Sequence, residues 1–290
     1  MIVSASRRTD LPAFYSDWFF RRVKAGFALV RNPFRSSQVS RVSLLPQDVD
    51  CVVFWTKNPA PMLSRLDELE RAGLPFYFQF TLTPYGKDLE RNLPPKRELI
   101  GTFRKLSREI GPDRVVWRYD PVVCSPELTP EWHLRQFRSL CSALEGCTRE
   151  CVFSFLDFYA KTKRNTAGLG LRPAPAAVME HVVAGFAETA ARYGLTLKTC
   201  CEAADFERFG IRRGACVDAE KVERITGRPL RARKDRGQRP GCRCAASADI
   251  GAYDTCRNGC VYCYATDPAR AARNGAGAGG PDSPFLNGRP

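Results

Sequence analysis

The sequence is short of several things. No apolar run reaches the roughly 18–20 residues that span a bilayer, so no membrane partner is expected. The first residues, Met1-Ile2-Val3-Ser4, show no basic stretch followed by an apolar core. That argues against a secretory signal and makes the cytoplasm the expected location. Histidine occurs twice, at His133 and His181. Both fall on segments read as helices, which makes them poor candidates for catalytic bases. Acidic residues are scarce against basic ones, 31 to 45, leaving a net charge of +14. No internal repeat is evident, nor any helix-turn-helix or aromatic-rich single-strand signature.

Cysteine is abundant, with thirteen in 290 residues. In a reducing cytosol these are not expected to be disulfides, and an odd count argues against a fully paired framework. Cys51, Cys141 and Cys151 lie inside apolar runs and read as buried small hydrophobes. The group from Cys242 to Cys263 lies instead among Gly, Arg, Asp and Asn. The excess positive charge favours nucleic acid or an anionic small molecule as partner, with solubility the plain alternative. It concentrates at Arg21-Arg22 with Lys24 and again from Arg228 to Arg239.

Short β-rich runs at 2–6, 51–55, 76–81, 115–118, 152–156 and 195–199 alternate with longer stretches at helical spacing. Such stripes include Leu99, Phe103 and Leu106, and Val178, Met179, Val182 and Phe186; they read as core. Repeated βαβα alternation implies a parallel sheet flanked by helices. The expected fold is therefore α/β, a partial or permuted (β/α) barrel of about six parallel strands with a C-terminal iron–sulfur segment. Residues 1–235 would form the barrel and 236–266 a cysteine-rich segment packed on its mouth. Residues 26–45 read as a basic hairpin or loop. The tail, 267–290, is rich in Ala, Gly, Pro and Asn and is expected to be disordered.

Every expected strand runs into polar, ionisable or aromatic residues. The first leads to Arg7-Arg8-Thr9-Asp10 and the second to Thr56-Lys57-Asn58-Pro59. The third leads to Thr83-Pro84-Tyr85 and the fourth to Arg118-Tyr119-Asp120-Pro121. The fifth reaches Asp157-Phe158-Tyr159 and the sixth Cys200-Cys201-Glu202. Singly these fit helix caps and turns; together they imply a shared pocket where the βα loops converge.

The sharpest motif is Cys256-Arg-Asn-Gly-Cys260-Val-Tyr-Cys263. Soft thiolates at such short spacing suit a [4Fe–4S] cluster, and Gly259 lets the backbone turn between them. A zinc site pairing Cys260 and Cys263 with Cys242 and Cys244 is the alternative, and it leaves Cys256 idle. Cys200, Cys216, Cys242 and Cys244 also stand in polar or turn contexts. They are candidates for a second iron–sulfur cluster, with a small zinc site or scattered thiols as alternatives.

Cys-x3-Cys-x-aromatic-Cys resembles the cluster motif of radical S-adenosylmethionine (SAM) enzymes. Here it comes at the C-terminus rather than after the first strand. The chain thus resembles, more closely, an uncharacterised bacterial family with a radical-SAM-like cysteine cluster at that end. That likeness includes Ser4-Ala5-Ser6-Arg7-Arg8-Thr9-Asp10, Phe54-Trp55-Thr56-Lys57-Asn58-Pro59, Trp117-Arg118-Tyr119-Asp120-Pro121 and Ser247-Ala248-Asp249-Ile250-Gly251. A weaker likeness is to photolyase-like radical SAM proteins. The resemblance implies a cubane on Cys256, Cys260 and Cys263, SAM on the remaining iron, and a reductant such as ferredoxin or flavodoxin. A permuted barrel would bring the cluster loop over the strand ends, facing Lys57, Arg118 and Asp157.

On this reading, Arg7, Arg8, Lys57 or Arg118 would meet the SAM carboxylate. Asp120, Asp157 or Glu202 would meet its cationic groups, Asp120 or Thr83 its ribose, and Tyr262 or Tyr264 its adenine. The Gly-Gly-Glu segment common in the superfamily is absent. Trp55, Phe80, Tyr119, Phe158 and Tyr159 would exclude water, and Tyr119 or Tyr159 would be candidates to return a hydrogen atom. Competing expectations are an iron–sulfur or zinc nucleic-acid-binding protein and a simple electron carrier, neither turning over SAM.

Overall fold

The computed structural model describes residues 1–274 and 280–286. Its strands are β1 (Ile2–Ala5), β2 (Phe27–Arg31), β3 (Val39–Ser43), β4 (Cys51–Thr56) and β5 (Phe76–Thr81). They continue with β6 (Val115–Val122), β7 (Glu150–Phe155), β8 (Thr196–Thr199), β9 (Arg212–Arg213) and β10 (Ser247–Asp249). The helices are α1 (Leu11–Phe14), α2 (Ser16–Ala25), α3 (Leu66–Arg71), α4 (Lys96–Ile110) and α5 (Pro130–Ala143). After these come α6 (Ala160–Asn165), α7 (Ala176–Arg192), α8 (Ala219–Thr226) and α9 (Pro268–Asn274).

Eight strands make one parallel sheet in the order β10-β1-β4-β5-β6-β7-β8-β9. The expected six are its middle, so the α/β class holds and the strand count is corrected from about six to eight. The two that sequence reading missed are the edges, three and two residues long. Runs that short show no readable alternation. The C-terminal strand β10 returns to pair with the N-terminal β1, Ile2 opposite Ser247. Residues 247–249 of the cysteine-rich segment are thus part of the sheet. Among the described residues β9 and β10 do not pair with each other. Residues 27–43 form the antiparallel hairpin β2–β3.

Local chemistry sets the helix starts. Thr129 accepts from the Trp132 N–H at 3.2 Å, with Pro130 in the first turn of α5. Asp10 and Asp218 cap α1 and α8 in the same way. The apolar stripes of α4, α5 and α7 then cover one face of the sheet. Trp117 stacks on Phe137, Phe137 on Phe186 at 4.0 Å, and Tyr119 meets Phe186 edge-on. Each such ring removed from water contributes about 1.5–3 kcal/mol.

The other face is covered by α8, through Val222, and by irregular chain. Val53, Tyr77, Val116 and Val152 pack against Cys216, Val217, Cys244 and Ala245. Tyr77 Oη and Gln79 Nε2 donate to the Cys216 carbonyl at 2.7 and 2.9 Å. No helix among the described residues is long and apolar enough to cross a membrane.

The tail departs from expectation. Residues 268–274 are helical and 280–286 dock on α2 and the hairpin: Trp18 Nε1 donates to the Ser283 carbonyl, and Leu29 N–H to that of Pro284. Its polar composition concealed carbonyls that complete donors elsewhere. Residues 275–279 and 287–290, part of the tail expected to be disordered, lie outside the described residues.

Candidate functional site

A cavity of about 510 Å³ opens at the C-terminal ends of the strands. Its wall is made by Ser6, Thr56, Lys57, Thr81, Arg118 and Leu156 on the sheet side, and by the 256–266 loop opposite. This size suits a small-molecule ligand. Cys256, Cys260 and Cys263 all line it, as do Cys200, Cys216, Cys242 and Cys244. With Cys201, eight thiols, all from the C-terminal third of the chain, share one cavity.

The 256–263 loop is fixed by hydrogen bonds. Asp10, at the start of α1, accepts from Asn258 Nδ2 at 2.9 Å and from the Lys57 N–H at 2.8 Å. Burial raises its pKa against those bonds. Behind the loop, Asn92 N–H donates to the Asn258 carbonyl and Val261 N–H to that of Leu89. Gly259 has φ +68°, and a Cβ there would lie 2.9 Å from Asn92 Nδ2. Glycine is therefore required at this turn.

A second requirement holds the other side of the mouth. Asp249 of β10 accepts from Ser4 Oγ, Ser6 Oγ and the Arg7 N–H at 2.6–2.9 Å. A Cβ on Gly251 would sit 2.1 Å from Ser6 Oγ. The first and last strands are thereby locked with their following loops in contact.

The buried charges are mutually committed. Glu90 is 1% exposed and accepts from Lys57 Nζ at 2.7 Å, Thr83 Oγ1 at 2.7 Å, Lys96 Nζ and Tyr262 Oη. Burial works to raise this carboxyl, but Lys57 and Lys96 outweigh it and hold it at about 2. Burial likewise opposes the Lys57 charge, yet Glu90 raises its pKa above the ordinary value. Sequence reading missed Glu90, Asn92 and Lys96, because they lie away from the strand ends and outside any motif.

Arg118, 4% exposed, pairs with Asp120 and donates to Cys216 Sγ at 2.9 Å. Asp120 also accepts from Ser154 Oγ. Asp157 pairs with Arg239 across the cavity rim. Arg7 packs over Trp55 and lies 3.6 Å from Asp235; Arg8 packs over Tyr253. All these residues except Asp235 and Tyr253 line the cavity.

Other expected residues do not reach the cavity. Tyr119 faces the helices, fully buried, and bonds His133 Nδ1 at 2.8 Å. Phe80 turns the same way, against Phe103. Alternation along a strand explains both: Arg118 and Asp120 point inward, so Tyr119 points out. Neither Tyr119 nor Phe80 can serve the cavity, and Phe158 is not on its wall. Thr83 is held by Glu90. Glu202 accepts from the Phe155 N–H at 2.7 Å, behind the wall; burial raises it to about 7 against that bond. Tyr262 keeps an edge on the cavity, but its hydroxyl is taken by Glu90 and Lys57. Tyr159, 41% exposed, and Tyr264 stand at the rim, ring centroids 5.9 Å apart.

Two hydroxyls on the wall have no partner among the described residues. Thr9 Oγ1 and Thr266 Oγ1 are buried and unbonded. Such groups normally find a hydrogen bond, from protein or ligand. Thr9 had looked like a cap and Thr266 carried no sequence signal.

Cys260 is buried and Cys256 and Cys263 are half-buried; burial raises Cys256 to about 12 and lifts Cys260 well above the ordinary thiol value. A bound cation is what would favour thiolates at these two. Among the described residues no three His, Cys, Asp or Glu side chains stand ready-made around one metal ion. A multi-iron cluster spreads its ligand sulfurs more widely than one ion does. Three thiols on one cavity wall are soft donors of the kind an iron–sulfur cluster takes.

A family model described as "Domain of unknown function (DUF1848)" matches residues 2–265. No curated protein and no solved structure matches the chain.

Proposed function

The chain belongs to the DUF1848 family, and from that premise and the geometry of the mouth we propose that it is a radical SAM-type enzyme on a permuted partial (β/α) barrel. One observation carries the reading: Cys256, Cys260 and Cys263 meet the charged strand ends around a single cavity of about 510 Å³. The return of β10 to β1 supports the permuted order, since it brings a C-terminal motif to the place a motif after β1 would occupy.

Cys256, Cys260 and Cys263 would hold a [4Fe–4S] cluster on three irons. Bound there and reduced, it would supply the electron that cleaves SAM to methionine and a 5′-deoxyadenosyl radical. The remaining steps belong to the chain. Arg7 and Arg8 are the wall cations best able to turn toward a carboxylate, because their ion pairs with Asp235 and Asp249 are long, at 3.6 and 3.9 Å, whereas Lys57 and Arg118 are held in close pairs. Thr9 and Thr266 offer the unpaired hydroxyls to polar edges of the cofactor. Trp55, Phe155 and Leu156 keep that part of the wall apolar and exclude water from a reactive carbon centre. Lys57 and Glu90 fix Tyr262 and with it the turn that presents Cys260 and Cys263. The excess of arginine around the rim favours an anionic substrate.

Anaerobic reconstitution with iron and sulfide, followed by reduction in the presence of SAM, tests the reading. The expected result is 5′-deoxyadenosine and an electron paramagnetic resonance (EPR) signal that changes on adding SAM. Cys256→Ala should abolish both. Holoprotein containing zinc alone, or reduced clusters that neither respond to SAM nor cleave it, would overturn the assignment.

A further inference from the structure

Cys200, Cys216, Cys242 and Cys244 line the cavity, and the radical reading leaves them without a task. Cys200 follows β8 and Cys216 follows β9, while Cys242 and Cys244 precede β10. Cys200 Sγ and Cys216 Sγ are 3.2 Å apart, and no disulfide joins them. Hydrogen bonds continue the row from Cys216 to Cys244 and from Cys244 to Cys242. Sulfurs in contact along a row do not surround the core of a closed cubane, so the second iron–sulfur site expected from the sequence does not fit here. Nor, among the described residues, do any three such side chains stand around one metal ion.

The chain builds this contact. β8 and β9 pair in register, Thr199 opposite Arg213, and the Gly214 N–H donates to the Thr199 carbonyl at 2.8 Å. A Cβ on Gly214 would lie 3.1 Å from that carbonyl oxygen, so glycine lets the two segments close in before Cys216. The Cys216 carbonyl is held by Tyr77 and Gln79, and its N–H donates to Cys244 Sγ at 3.3 Å. Both inner sulfurs have donors that can steady negative charge. Val217 N–H also donates to Cys244 Sγ, at 3.5 Å, and Arg118 donates to Cys216 Sγ at 2.9 Å. Cys216 and Cys244 are each lowered by the hydrogen bond they receive, but the bond they donate and burial outweigh it. Cys200, which donates to Cys216, is raised well above the ordinary thiol value by that bond and by burial. The row ends at Cys242, which the hydrogen bond from Cys244 brings down to about 7. Cys141, packed among apolar side chains of the core, offers a contrast: burial raises it to about 12.

We propose that these four cysteines are a thiol relay: a low-molecular-weight disulfide entering the cavity is reduced at Cys242, and the row carries the oxidation inward to a Cys200–Cys216 disulfide. A thiolate is the attacking species, and Cys242 is the member of the row best able to supply one. Its sulfur bonds one sulfur of the small disulfide and releases the other half. Cys244 then attacks Cys242 and frees the second half. Cys216 attacks Cys244, freeing Cys242, and Cys200 attacks Cys216, freeing Cys244. At each step one S–S bond forms and one breaks. The first sulfur released takes a proton from water, and each later one takes the proton of the thiol that attacked. Cys242 returns the borrowed proton when it ionises again. In sum, Cys200 and Cys216 lose two electrons and two protons, and the small disulfide becomes two thiols. In a reducing compartment disulfides are of this transient, catalytic or redox-sensing kind. Neither iron nor SAM takes part.

The test treats the full chain, purified and reduced without oxygen, with oxidised glutathione, then alkylates and digests it for mass measurement. The expected product is a pair of peptides joined through Cys200 and Cys216, formed with release of two glutathiones per chain and reversed by dithiothreitol. Cys242→Ser should give the same product about tenfold more slowly. A wild-type rate in that variant overturns the relay. So does a chain that stays fully reduced, one that takes up glutathione without an internal bond, or metal found on these four sulfurs in the purified protein. Should the variant not fold, the wild-type product decides, a Cys200–Cys216 link supporting the relay and any other pairing overturning it. A chain that forms this bond yet fails to cleave SAM would sink the radical reading alone; one that cleaves SAM and never forms the bond would sink the relay alone.

Discussion

The two faces of the sheet come from the same strands and could hardly differ more. On the helix face, Trp117, Phe137, Phe153 and Phe186 build a dry aromatic stack with one polar pair, Tyr119 and His133. On the inner face, residues one position away carry Arg118, Asp120, Gln79 and the thiols. The period of two along a strand makes the separation. A fold can therefore keep a stabilising core and a costly charged site a single residue apart. The core face should be sensitive to volume, and the inner face to the pairing of charge and to metal.

Substitutions can break that contrast, beginning with the largest expected effects. Phe186→Ala should cost about 3–5 kcal/mol in urea unfolding and leave the iron content of the folded fraction unchanged. Glu90→Gln should cost a similar amount, about 3–5 kcal/mol, because Lys57 and Lys96 lose the carboxylate they share. Unlike the first, it should also reduce iron retained at the 256–263 loop. Equal iron retention in the two variants would show that the faces are not functionally distinct.

The one polar pair on the dry face should show itself through pH. The Val123 carbonyl can only accept, so His133 Nε2 carries the proton and Nδ1 accepts from Tyr119. Burial lowers the His133 pKa to about 4. Below about 6.5 the unfolded chain takes up a proton that the folded chain refuses. Stability from this group is complete above about pH 6.5 and falls as pH drops toward 4, by about 3 kcal/mol in all. Urea unfolding of wild type and His133→Asn at pH 7 and 4.5 checks it: the variant should lack this component of the acid loss. An identical loss in both would remove His133 as its source.

The smallest effect sharpens the comparison most. Thr266→Val deletes a buried hydroxyl that has no partner among the described residues. Stability of the metal-free chain should stay the same or rise by up to about 1 kcal/mol, while SAM binding to the reconstituted protein weakens. Loss of stability without loss of binding would show that the hydroxyl serves the fold.

Much of this was legible in the chain. The β-rich runs with intervening helical stripes placed the six central strands, because each is long enough to show its period. The spacing of Cys256, Cys260 and Cys263 marked a loop that lines the cavity, and the polar residues after each strand marked a mouth. Local chemistry suffices for these, since thiol spacing and side-chain alternation act over a few residues.

Contact across long stretches of chain decided the rest. The edges β9 and β10 are too short to announce themselves and exist because a neighbour offers hydrogen bonds. Strand direction turned Tyr119 and Phe80 away from the cavity. Folding brought Glu90 to Lys57 and Tyr262, left Thr9 and Thr266 unpartnered on the wall, and gathered Cys200, Cys216, Cys242 and Cys244 from three places. A sequence fixes which side chains can bond; only the packed chain determines which of them meet, because burial removes the water that would otherwise satisfy each one alone.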